Sequence, residues 1–136
     1  MRIAILHFLD DDKTSHKTIL QNLQRTANAK GHEVSIFSAK KDAYNLRLSI
    51  YDYISLIIPS SPVFGSKIPS RVSELLSSCG TISGKKAAAL VLKSGFSSNK
   101  TARNLMRAME REGLKLDYFD IVKNADHANY VGKKLG

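Results

Sequence analysis

Ile57-Ile58-Pro59-Ser60-Ser61-Pro62-Val63-Phe64-Gly65-Ser66-Lys67-Ile68-Pro69 decides the architecture, because an apolar run ends in a proline-pinned loop that opens straight into an amphipathic helix. The run predicts a strand that delivers a rigid loop to the carboxyl edge of a sheet. In open parallel sheets that edge is where ligands sit. Pro62, Val63, Phe64 and Gly65 would present a flat apolar wall beside exposed backbone groups.

Working outward, Ile54-Ser55-Leu56-Ile57-Ile58 is apolar enough to be a central strand buried on both faces. Downstream, Val72, Leu75, Leu76 and Cys79 form an i, i+3, i+4, i+7 stripe that begins after Pro69 and closes at Gly80, which predicts a helix packed on that sheet. Upstream, Arg2 to His7 reads as a first strand, followed by a helix in which Ile19, Leu20, Leu23 and Ala27 recur until Gly31 stops it. Glu33 to Phe37 alternates as an edge strand would, and residues 40–49 read as a short helix or an irregular crossover. Lys86 to Leu92 is a fourth strand rich in small residues. Ala102, Leu105, Met106 and Met109 place the next helix before Gly113, Leu114 to Val122 is a fifth strand, and 125–135 a last helix.

Five strands that alternate with helices, at spacings too long for hairpins, require right-handed crossovers and a parallel sheet covered on both faces. The expected fold is therefore α/β, three-layer, with a five-stranded parallel sheet. With five strands and no Gly-x-Gly-x-x-Gly after the first, order 2-1-3-4-5 is favoured over a six-stranded dinucleotide fold. In that order the loops after His7 and after Pro59 face each other across one crevice.

Composition agrees with this reading. The 136 residues, 43% hydrophobic, suffice for one core, so residues 1–136 are expected to form a single domain. With 24% charged residues there is no apolar run of the roughly 20 residues a membrane span needs, and Met1-Arg2 leads directly into a strand, so a cytoplasmic protein without membrane attachment is expected. Cys79, the sole cysteine, permits neither an internal disulfide nor a thiolate metal cluster and reads as a small core residue. The net charge of +9 would attract nucleic acid or an acidic protein, but its spread along the chain weakens the nucleic-acid reading.

The stretch from Phe8 to Thr18, Phe8-Leu9-Asp10-Asp11-Asp12-Lys13-Thr14-Ser15-His16-Lys17-Thr18, contains no glycine and carries three adjacent carboxylates. Without glycine the left-handed backbone angles of an amide nest are costly, and an aspartate at the helix N-terminus, as its N-cap for instance, would compete with a bound anion. Against that, Thr14, Ser15 and Thr18 supply hydroxyl donors, and Lys13 and Lys17 offset the local acids.

The run from Ser60 to Pro69 resembles the ring-flanking loop of the flavodoxin family, in which a serine-proline-aromatic-glycine stretch follows the third strand. Ser83-Gly84-Lys85-Lys86 before the fourth strand, Ser94-Gly95 after it and the tail from Lys123 to Leu135 extend the likeness over nearly the whole chain. The resemblance implies a flavodoxin-like fold with FMN at the carboxyl edge of the sheet. The isoalloxazine would lie between Ser61, Pro62, Val63, Phe64 and Gly65 on one side and Ser94, Gly95 and Phe96 on the other. The phosphate would lie at Thr14, Ser15, His16, Lys17 and Thr18. As an enzyme, such a protein would be an FMN-dependent NAD(P)H oxidoreductase, although no residue signature marks nicotinamide use.

Several features admit two readings. Phe64 and Phe96 are either ring walls or plugs folded onto the core. Lys100, Arg103, Arg107 and Arg111, opposite the apolar stripe of their helix, are either a solvated face or a dock for an acidic redox partner or for nucleic-acid phosphates. His7 closes the first strand, His16 lies in the following loop, and His32 and His127 read as surface residues. Their spacing, with Asp10 to Asp12, matches no metal motif, and no Gly-x-Ser-x-Gly elbow supports hydrolysis. Two functions follow: an FMN-binding electron-transfer protein, or a flavin-free module of the same fold that binds a protein partner, a small anion or nucleic acid.

Overall fold

The computed structural model describes residues 1–60, 68–93 and 98–136. The chain runs β1 (Arg2–His7), α1 (Thr14–Ala29), β2 (Glu33–Ser38), a 3₁₀ turn (Ala43–Asn45), β3 (Tyr53–Pro59), α2 (Arg71–Ser78), β4 (Lys86–Leu92), α3 (Ser98–Arg111), β5 (Lys115–Val122) and α4 (Ala125–Gly132). All four strand pairings are parallel, in the order β2-β1-β3-β4-β5.

Alternation along the strands divides the core in two. Ala4, Leu6, Ile54, Leu56, Ile58, Ala89 and Val91 point to the face covered by α2 and α3, where they meet Val72, Leu76, Leu105 and Met109. Ile3, Ile5, Tyr53, Ile57 and Leu90 point to the other face, where α1 and α4 supply Ile19, Leu23, Ala128 and Val131. Each fully buried Leu or Ile side chain contributes about 1.5–3 kcal/mol. The three layers thus follow from period-2 patterning in the strands and period-3.6 stripes in the helices.

One open reading is resolved and one boundary differs from expectation. Residues 40–49 form only the short 3₁₀ turn within an irregular crossover, because just Leu46 and Leu48 of this stretch are buried apolar side chains and no helical stripe exists. The last helix ends at Gly132 rather than reaching Leu135, which is nevertheless buried beyond it. Gly31, the expected stop of α1, has φ +93°, and its amide donates to the Asn28 carbonyl at 2.9 Å. No described helix is long and apolar enough to cross a membrane.

Candidate functional site

β1 and β3 lie side by side at the centre of the sheet, with His7 opposite Ile57, and the loop leaving β1 is tied down at once as the Phe8 amide donates to the Ile57 carbonyl at 2.9 Å. The next donors are taken by side chains. The Leu9 amide donates to His7 Nδ1 (3.2 Å), the Asp10 amide to His16 Nδ1 (3.0 Å) and the Asp12 amide to Asp10 Oδ1 (2.9 Å). The Lys13 amide then donates to the Asp10 carbonyl at 3.1 Å. The loop is therefore built without glycine by using imidazole and carboxylate acceptors, with Asp10 forming an Asx turn.

These bonds fix both imidazoles as the Nε2–H tautomer, because a nitrogen that accepts an N–H carries no proton of its own. Burial lowers the pKa of His7, against the opposing charges of Asp11 and Asp42. Burial likewise lowers that of His16, with Lys13 adding to the effect. His7 Nε2 faces Asp11 Oδ1 at 3.4 Å, and Asp11 Oδ2 is 3.4 Å from Lys41 Nζ. Asp10 and Asp11 thus have partners of their own, beside a cavity of about 310 Å³ lined by residues 8–12 with Lys40 and Lys41.

The start of α1 is different. Lys13 occupies the N-cap position without a side-chain cap, and no acidic residue lies in the first turn, so the expectation of an aspartate cap is corrected. Asp10 is instead held in its own turn. Lys17 makes the first helical bond, to the Lys13 carbonyl, and among the described residues the amides of Thr14, Ser15 and His16 have no acceptor. Thr14, Ser15 and Lys17 are exposed, whereas His16 and Thr18 are half-buried. His16 lies in the first turn of α1 rather than in the loop before it, and the Thr18 hydroxyl donates back to the Thr14 carbonyl at 3.0 Å. Three amides at the positive end of a 16-residue helix, with two exposed hydroxyls and two lysines, constitute a donor set for an anion.

Ser61, Pro62, Val63, Phe64, Gly65, Ser94, Gly95 and Phe96 lie outside the described residues. Their described neighbours are informative. Ser60, before the first segment, and Ser98, after the second, are buried with their hydroxyl oxygens 3.1 Å apart, and Ser60 Oγ also donates to the Leu92 carbonyl at 3.0 Å. Sequence reasoning missed this contact, since two isolated serines 38 positions apart carry no periodic signal. The acceptor roles of His7 and His16 are likewise invisible in the sequence, which places His7 at the end of the first strand and His16 in the following loop. Among the described residues no cluster of His, Cys, Asp and Glu could hold a metal ion.

A five-stranded parallel sheet in order 2-1-3-4-5, with paired helices on each face and a donor-rich helix start at its carboxyl edge, is the flavodoxin-like α/β fold. Solved structures bear this out. A flavodoxin from Streptococcus pneumoniae TIGR4 superposes with a TM-score of 0.71 at 12% identity, covering 98% of this chain and 96% of its own. A short-chain flavodoxin associated with a non-canonical PDU bacterial microcompartment gives 0.71 at 11% identity, with 99% and 96% covered. The NAD(P)H:quinone oxidoreductase from Methanothermobacter marburgensis gives 0.67 at 12% identity, with 98% of each chain covered. No family model and no curated protein sequence matches the chain.

Proposed function

We propose that the protein is an FMN-binding, flavodoxin-like electron-transfer protein. The observation that carries this reading is the start of α1, where the Thr14, Ser15 and His16 amides have no acceptor among the described residues at the carboxyl edge of the sheet. A phosphate monoester fits that donor set. The fit rests on the helix start alone, because the amides of Leu9, Asp10, Asp12 and Lys13 are already engaged.

In this reading Thr14, Ser15, His16, Lys17 and Thr18 hold the phosphate, the amides directing hydrogen bonds to its oxygens and Lys17 adding charge. Ser61 to Gly65 and Ser94 to Phe96 flank the ring. Bound FMN supplies one- or two-electron transfer, and the protein's part is to orient it and set its potential. Adding protein to FMN is expected to quench flavin fluorescence, and saturating FMN to raise the Tm, as binding to the native state alone requires. Unchanged fluorescence and an unchanged Tm at about millimolar FMN would remove this reading.

A second reading is supported by the loop itself. The amides of Leu9, Asp10, Asp12 and Lys13 are satisfied within the loop and helix start through His7, His16 and Asp10, as expected of a flavin-free module of the same fold. The same titration separates the two, since a flavin-free module leaves the FMN signal unaltered while sulfate or a partner still raises the Tm.

A further inference from the structure

Lys100, Arg103, Arg107 and Arg111 follow one another along α3 at intervals of three, four and four, which places them on one face over about 16 Å. All four are exposed. The ion pairs among the described residues belong to Arg2, His7, Lys41 and His127, so this row has no carboxylate of its own. Beside the row, a trough of about 390 Å³ between the start of α2 and the second half of α3 is lined by the apolar Ile68, Pro69 and Ala108, by Ser70, Ser73 and Asn104, and by Arg107 and Arg111. A smaller cavity of about 160 Å³, lined by Lys100, Arg103, Asn104 and Arg107, shares Asn104 and Arg107 with it. Glu74, Glu110 and Glu112, the acids of these helices and their ends, line neither.

We propose that this face docks an acidic protein, with a row of its Asp or Glu side chains against the α3 cations and an apolar side chain in the α2–α3 trough. Charge complementarity selects the partner, since three of the four cations are arginines, whose forked donors pair bidentately with carboxylates. Nucleic acid meets the row less well. Among the described residues no aromatic side chain lines either cavity to stack a base, and Ile68, Pro69 and Ala108 suit an apolar side chain rather than a phosphodiester. The net charge of +9 steers such a partner at long range, and the row fixes where it lands. α2 and α3 both start at the carboxyl edge of the sheet, just after segments 61–67 and 94–97. The Lys100 end of the row therefore lies beside the edge assigned to the flavin, with Arg111 about 16 Å further along α3. That the partner exchanges electrons rests on the flavin reading, whereas the docking does not.

The test uses fluorescence anisotropy at about 50 mM salt, where surface charge is weakly screened, with two labelled probes. One is a helical peptide with glutamates at i, i+3, i+4 and i+7 and interspersed leucines, and the other is oligothymidine of similar charge. Two double variants of equal net charge are compared, Arg103→Ala with Arg107→Ala, and Lys133→Ala with Lys134→Ala on the opposite face of the sheet, both checked for an unchanged circular dichroism spectrum. The arginine pair is expected to weaken peptide binding about tenfold and the lysine pair less than about twofold. Equal losses in both variants, no peptide binding, or tighter and arginine-dependent binding of oligothymidine would each overturn the proposal. An FMN titration is run separately: arginine-dependent peptide binding without flavin binding upholds the dock and removes the electron-transfer role, while flavin binding without peptide binding does the reverse.

Discussion

The imidazole of His7, only 3% exposed, accepts the backbone N–H of Leu9 at 3.2 Å, so a buried ring at the end of β1 holds the first turn of the loop that follows. His16 repeats the arrangement from the helix side through the Asp10 amide. The conformation ahead of α1 therefore depends on two neutral histidines.

Acid should loosen this loop. Burial holds both imidazoles below the ordinary value of 6.5, so the unfolded chain binds protons that the folded chain refuses. Their contribution is complete above that value and is lost as pH falls below it toward the folded-state values. Melting curves should therefore show a lower Tm at pH 5.5 than at pH 7.5, about two units apart. His7→Leu should lose about 1–3 kcal/mol at the higher pH, through the stranded Leu9 amide, and show a shallower pH dependence. An identical pH dependence in wild type and variant would exclude the mechanism.

Thr14→Asp separates helix stability from anion binding. A carboxylate in the uncapped first turn of α1 is worth about 0.3–1 kcal/mol to the helix and competes with a phosphate for the same amides. The expected result is a Tm equal to or above wild type with FMN affinity at least about tenfold weaker. Unweakened FMN binding would place the phosphate elsewhere.

Ser55 lies fully buried in the middle of β3, and among the described residues its Oγ has no hydrogen-bond partner. Ser55→Ala removes a desolvated hydroxyl and leaves no acceptor stranded. Denaturant unfolding should find the variant as stable as wild type or up to about 1 kcal/mol more stable. A loss above about 1 kcal/mol would mean the hydroxyl is engaged.

Gly132 sits where α4 crosses α1, and a Cβ there would collide with the Thr26 hydroxyl and come within 2.8 Å of the Leu23 carbonyl oxygen. Helix propensity favours alanine by about 1 kcal/mol, but a backbone atom cannot step aside as a side chain can. Gly132→Ala should therefore lose about 1–3 kcal/mol, and adding Thr26→Ala should recover only part of it. A stabilised single variant would show that the two helices can separate at little cost.

The five strands and their order were readable because burial on one or both faces imposes a regular period, as in Ile54 to Ile58 and in the Val72-Leu75-Leu76-Cys79 stripe. Residues 40–49 carry no such stripe, so the sequence leaves a short helix and an irregular crossover both open there, and the structure has a 3₁₀ turn within a crossover. The same limit applies at the site. Thr14, Ser15 and Lys17 could be placed near a helix start from residue type, whereas the use of His7 and His16 as amide acceptors depends on ring orientation, which leaves no trace in spacing.

The hydroxyl pair Ser60–Ser98 joins the residue that leads into segment 61–67 to the one that follows segment 94–97. In engineering terms, the two candidate walls have a common anchor. A donor segment grafted in place of 60–67 alone would set its own first residue against a recipient Ser98 and Leu92 carbonyl matched to the original Ser60. Transplanting a flavin site into this scaffold, or out of it, should therefore treat residues 60–67 and 94–98 as one cassette.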